Sequence, residues 1–206
     1  MNRLQKVQGL LKNVDALLIS DKINMFYLTD MDLSAGYVLV TKNSGTLFVD
    51  ARYLESAKQN SLLPVQHLPK EGISSIFAHA PFNTIRSLGV IGEIITYKAF
   101  QDLQNGLPNI VLRSVENDLK LVRAIKDDSE IALMKKAATL GSKGYDYVLT
   151  LLKPGISEEE VALELEIFWK RNGSQGVAFE SIIAFGSHSS MPHYRAGKTR
   201  LQSHDP

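Results

Sequence analysis

Short apolar runs closed by turn-forming residues alternate with helical periodicities through the first half of the chain, and this alternation leaves few folds open. Residues 14–20 form one such run, residues 37–40 and 45–49 two more, and residues 87–91 another. Each has the length and β-branched content of a buried strand. Between them, Leu4, Val7, Leu10 and Leu11 share one helical face, residues 51–60 and 97–105 read as helices, 65–68 as extended and 74–78 as briefly helical. Lys42-Asn43-Ser44 carries turn chemistry between two strand candidates, which predicts an antiparallel hairpin. Strands interleaved with helices predict an α/β domain with a mixed sheet.

A different pattern begins at Asp127-Asp128-Ser129-Glu130, where small acidic and hydroxyl side chains can satisfy the free N–H groups of a helix start. Ile131, Met134, Ala138, Gly141, Tyr145, Val148 and Leu152 then recur at three- and four-residue steps, predicting a long helix with that stripe as its packed face. Ala138, Gly141 and Gly144 leave room for close backbone approach. Pro154-Gly155 ends the helix, and Ser157-x-x-Glu160 has the form of a capping box. Val161, Leu165, Phe168 and Trp169 are the expected buried face of the next helix, with Asn172-Gly173 as its stop. Glu158 and Glu159 are read as first-turn charges favoured by the helix dipole.

With 206 residues, the chain has room for one complete domain and a smaller or partial second one. Lys and Arg total 23 against 22 Asp and Glu, with no basic block interleaved with aromatics, so a nucleic-acid partner is not expected. The absence of Cys excludes disulfides, thiolate metal sites and a Cys nucleophile. No stretch approaches the ~20 apolar residues of a membrane helix, and polar residues from Gln5 to Asp15 interrupt any signal-type core. These features predict a cytoplasmic protein.

Chemistry-bearing residues concentrate near the end, in the segment 179–195, FESIIAFGSHSSMPHYR, where a β-type apolar run delivers Pro192-His193 to a loop. His188, His193 and His204 do not have the spacing of a metal site, and no Asp or Glu lies between Glu180 and Asp205 to complete one. Ser187, Ser189 and Ser190 neighbour His188, but no G-x-S-x-G elbow supports a serine nucleophile. Asp50 and Arg52 can form a local ion pair with Tyr53 packed on the sheet; alternatively Arg52 and Tyr53 face a ligand.

Several motifs in order carry a resemblance. Residues 24–29 (NMFYLT) and Phe48-Val49-Asp50-Ala51-Arg52-Tyr53 resemble the creatinase-type N-terminal domain that precedes the catalytic domain in aminopeptidase P and prolidase. Arg123-x-x-Lys126-x-x-x-Glu130 before a long helix is similar to the start of that catalytic domain, the pita-bread metallopeptidase fold. Lys153-Pro154-Gly155-Ile156-Ser157-Glu158 and residues 179–193 are similar to its next two landmarks. The implied fold class is α/β: a creatinase-type N-terminal domain with a mixed sheet over residues 1–122, then an incomplete first half of a pita-bread α+β catalytic domain over 123–206.

The resemblance also implies an activity, hydrolysis of the Xaa-Pro bond at the N-terminus of peptides or in dipeptides. Two bridged divalent cations, Mn or Co with Zn as a further candidate, would lower the pKa of a shared water that attacks the carbonyl before proline. The family's ligands, Asp, Asp, His, Glu and Glu, do not map onto residues 1–206, so the chain is expected to be truncated within the catalytic domain, to bind no metal and to be inactive alone. His193 is implied as the catalytic residue, donating to developing negative charge, and in a metal-free creatine hydrolase of this fold the matching His serves as general acid and base. Arg52, Tyr53 and Phe179 are implied as substrate-binding. A homo-dimer or higher homo-oligomer is expected, because the N-terminal domain often completes a neighbour's site and half a catalytic domain leaves an open sheet edge and an uncovered apolar face. The competing expectation is a metal-free peptide-binding or assembly module.

Overall fold

The computed structural model describes residues 2–205, which divide into two compact units, one running to Ile125 and the other starting at Lys126. The division falls three residues beyond the 122/123 junction expected from the sequence, because helix α5 (Leu119–Ala124) buries Leu119 in the first unit's core.

The first unit is a six-stranded sheet in the order β4-β3-β2-β1-β5-β6. Helix α1 (Arg3–Gln8) starts from a capping box in which Asn2 and Gln5 satisfy each other's backbone N–H groups. Strand β1 (Ala16–Ile19) is buried at every residue, as expected of a run without polar alternation. It pairs antiparallel with β2 (Tyr37–Thr41) and parallel with β5 (Ser87–Ile91). Helix α2 (Lys22–Thr29) connects β1 to β2 and is capped by Asp21. A hairpin at Lys42-Asn43-Ser44 joins β2 to β3 (Gly45–Val49), with Tyr37 opposite Phe48. Its turn is closed by the Thr41 N–H donating to the Ser44 carbonyl. Helix α3 (Ala51–Asn60) leads to β4 (Val65–His67), parallel to β3, and α4 (Tyr97–Gly106) leads from β5 to β6 (Val111–Val115), again parallel.

Period-two alternation sorts the strand residues between two cores. Leu17, Ile19, Val38, Val40, Leu47 and Val49 pack with Val7 of α1, Met25 and Leu28 of α2 and Ala57 of α3. Leu18, Leu39, Phe48, Leu88 and Val90 face the other way, against Leu103 of α4 and a 3₁₀ turn, Ile73–Ala78. The brief helix expected at 74–78 is thus this tighter turn. Strand β6 and helix α5 have no counterpart in the sequence expectations.

The second unit is built on α6 (Asp128–Leu151) and α7 (Glu158–Arg171). Asp127 and Glu130 form a capping box for α6, and Ser157 and Glu160 form the expected one for α7. Gly155 at φ 96° and Gly173 at φ 91° supply the left-handed turns after each helix, where a side chain would be strained. Val161 and Leu165 are buried as expected, with Phe168 and Trp169 half-buried beside them.

Two expectations are corrected here. The stripe along α6 is not a covered face: Ile131, Met134 and Tyr145 are exposed, and Gly144 is the only buried residue among those described in the helix. Helix α7 packs on the side carrying Gly144 and Tyr147, whose ring stacks on Phe168 with centroids 4.6 Å apart. Gly141 has open space around it, whereas a Cβ at Gly144 would lie 2.3 Å from Trp169 Nε1. The apolar run at the head of segment 179–195 is likewise no strand; residues 179–184 lie outside any helix or strand. A strand needs a paired neighbour, and the described part of this unit offers none.

Gly144→Ala is expected to destabilise the α6–α7 pair by about 1–3 kcal/mol through overpacking. Urea unfolding followed by the single tryptophan, Trp169, would measure it; an unchanged midpoint would show that the indole moves aside at no cost. Among the described residues, no helix is long and apolar enough to cross a membrane.

Candidate active-site loop

The chemistry expected near His193 is organised by a residue read from the sequence as a simple first-turn charge. Glu158 is fully buried at the first position of α7. Its Oε1 accepts from the Phe185 N–H at 2.9 Å and lies 3.0 Å from His188 Nδ1. Its Oε2 accepts from the Tyr194 hydroxyl at 2.8 Å and from the Gly197 N–H at 3.0 Å. Glu159, by contrast, is exposed, as a first-turn charge should be. A short antiparallel contact reinforces the arrangement: Ser157 faces Arg200, the Glu158 N–H donates to the Thr199 carbonyl, and the Leu201 N–H donates to the Ile156 carbonyl while the Leu201 carbonyl accepts from the Gly155 N–H.

Burial alone would push the Glu158 carboxyl upward, but the hydrogen bonds from Phe185, His188, Tyr194 and Gly197 outweigh it and hold the carboxyl below its ordinary value. Burial, then the bond to Glu158, pushes the Tyr194 hydroxyl up. A carboxyl lowered in the fold contributes stability that is present above its unfolded pKa of ~4.3 and is lost as pH falls through the lower folded value. Acid is therefore expected to loosen residues 185–197 while α6 persists. Amide exchange from pH 6 down to the acid range would follow this; protection in the loop that is independent of pH would contradict it.

Between the anchored positions, a 3₁₀ turn (Gly186–Ser190) leads to an exposed apex at Met191, Pro192 and His193. His188 and Tyr194 flank that apex with their rings stacked, centroids 4.3 Å apart. His188 is thus a partner of Glu158, and among the described residues no group of three His, Asp or Glu side chains is placed to hold a metal ion. Phe179 is 72% exposed and lies at a groove of about 440 Å³ with Leu165, Trp169, Val177 and Ile182. The indole Nε1 of Trp169 is buried there without a partner among the described residues.

Arg52 and Tyr53 lie in the first unit at the start of α3. The Arg52 guanidinium donates to Asp50 at 2.7 Å and lies over the Tyr53 ring, 5.6 Å from its centroid. The Arg52 bond holds the Asp50 carboxyl below its ordinary range. The Tyr53 hydroxyl pairs with the Ser34 hydroxyl at 2.7 Å, and the ring packs on the domain core. Both side chains therefore have local partners of the kind the ion-pair alternative required. Glu158 is the residue that sequence reasoning missed: its donors lie 27 to 39 residues downstream, beyond any local pattern.

Comparison with known proteins agrees with these two units. The creatinase/prolidase N-terminal domain family matches residues 3–125, and metallopeptidase family M24 matches residues 132–206. An Xaa-Pro dipeptidase of Pyrococcus horikoshii is 31% identical over 194 residues, covering 94% of this chain and 54% of the relative. The solved prolidase of Pyrococcus furiosus superposes with a TM-score of 0.87 at 28% identity, covering 98% of this chain and 63% of that one. The solved prolidase of Pyrococcus horikoshii gives 0.86 at 29% identity, covering 98% and 58%. The chain thus spans little more than half the length of these relatives. Two successive family matches, in the order that the motifs follow and over folds that superpose, establish that the chain belongs to the creatinase/prolidase group of M24 metallopeptidases.

Proposed function

We propose that a protein carrying this chain is a metal-dependent peptidase that cleaves the bond before proline, in Xaa-Pro dipeptides or at the N-terminus of peptides. The observation that carries the reading is the exposed Pro192-His193 apex on a loop anchored to a buried carboxylate, in the segment that follows the family's landmarks. In this reading residues 1–122 form the N-terminal domain and residues 123–206 the first half of the catalytic domain. His193 is the catalytic residue: its imidazole donates to the oxygen that gains charge as the peptide carbonyl is attacked. Phe179 offers an exposed aromatic face to substrate, with Arg52 and Tyr53 as further candidates at the rim.

Family membership favours two divalent cations, Mn, Co or Zn, in the complete enzyme. The described side chains do not fit such a cage, since no three potential ligands converge. The exposed apolar residues of α6 favour a homo-oligomer, and the proposed setting is the cytoplasm. The test is hydrolysis of an Xaa-Pro dipeptide against its Xaa-Ala counterpart with added Mn²⁺ or Co²⁺. The complete protein is expected to prefer proline and the 206-residue chain to show no turnover. Turnover by the 206-residue chain would refute the second expectation; equal rates on both peptides by the complete protein would refute the first.

A further inference from the structure

We propose that Glu158 is a positioning residue: by accepting hydrogen bonds from both ends of the loop 185–197, it fixes the Met191–His193 apex, and with it the imidazole, in one place. The inference rests on the reading of His193 as the group that meets substrate. One oxygen of the carboxylate takes Phe185 and His188 on the near side of the apex, and the other takes Tyr194 and Gly197 on the far side. Among the described residues, the apex makes only turn bonds, the Met191 N–H to the His188 carbonyl and the Tyr194 N–H to the Met191 carbonyl. Those bonds run to the two residues that Glu158 holds. The approach to the loop, residues 179–184, has no strand partner among the described residues.

A role confined to helix capping does not account for this geometry. The cap of α7 is made by Ser157, whose hydroxyl accepts from the Glu160 N–H, while neither Glu158 oxygen bonds an N–H of its own helix. A fully buried carboxylate is costly unless its lone pairs are satisfied. Here all of its recorded partners lie in the loop, so the carboxylate and the loop conformation require each other.

The test compares the 206-residue chain with Glu158→Gln, Glu158→Asp and Tyr194→Phe by amide exchange and by ¹H–¹³C spectra of the histidine rings. In Glu158→Gln, exchange at Phe185, Tyr194 and Gly197 is expected to rise about tenfold or more. The His193 ring signal should broaden or split, with α7 still protected. A folded variant with loop exchange and a His193 signal like the parent's would overturn the proposal. Should Glu158→Gln fail to fold, Tyr194→Phe decides: it removes one bond to Oε2, and an unchanged His193 signal and Gly197 exchange would also overturn it. In the complete, active protein, Glu158→Gln should lower kcat by about 10–100-fold with KM within about twofold, and Glu158→Asp should recover part of the loss. Loop exchange that rises while His193→Ala leaves hydrolysis unchanged would sink the reading of His193 and leave the Glu158 anchor standing.

Discussion

In a complete protein with measurable Xaa-Pro hydrolysis, His193→Ala is expected to lower kcat by about 10²–10⁴ with little change in KM. The lower figure is the loss of a single donor to the oxyanion and the upper one the loss of a general acid–base group. The effect falls on kcat because a bond to charge that develops in the transition state is weak in the ground state. His193 is exposed, so truncating it leaves no buried partner unsatisfied and stability should stay within about 0.5 kcal/mol. Steady-state kinetics beside a thermal melt would separate the two. A variant with parental kcat would remove His193 from the reaction, and a lowered melting temperature would mean that the loop depends on the imidazole itself.

Phe48→Ala is expected to cost about 3–5 kcal/mol, enough to unfold much of the first unit. Phe48 is fully buried in β3, between β2 and β4, and its ring meets Phe82 edge-on with centroids 5.8 Å apart. Removal would leave a cavity between the sheet and the segment carrying Phe82 and Ile73, whose two short 3₁₀ turns, Ile73–Ala78 and Phe82–Thr84, hinder its closing in. Chemical unfolding followed by circular dichroism would measure the loss. A cost under about 1 kcal/mol would show that this segment collapses onto the sheet.

The first unit was largely legible in the sequence because its signals are local. Residues 16–19 are apolar without alternation, and β1 is buried on both faces; Lys42-Asn43-Ser44 reads as a turn, and the hairpin forms there. What escaped lies at the margin. Strand β6 lies at the sheet edge beside β5 and mixes exposed Val111, Arg113 and Ser114 without a clear period, since one side meets solvent. The second unit was legible as helices and illegible as packing. Periodicity marked the stripe from Ile131 to Leu152 as apolar, but not which neighbour would cover it, and α7 covers the side of Gly144 instead. The resemblance singled out His193 from its motif, whereas Glu158 looked like any acidic residue in a first turn. Its partners became visible only once residues 185–197 were folded back onto it.

That folding back has a kinetic side. The capping box of Ser157 and Glu160 forms between residues three apart, whereas Glu158 and Gly197 are 39 apart. Closing the longer loop carries an entropic cost that grows with the logarithm of its length, so a preformed α7 start is the surface on which the return segment can land. Mutations in the box should slow folding, and mutations at Glu158 should mainly speed unfolding. The loop that presents His193 would then be the last part of its unit to arrive and the first to leave.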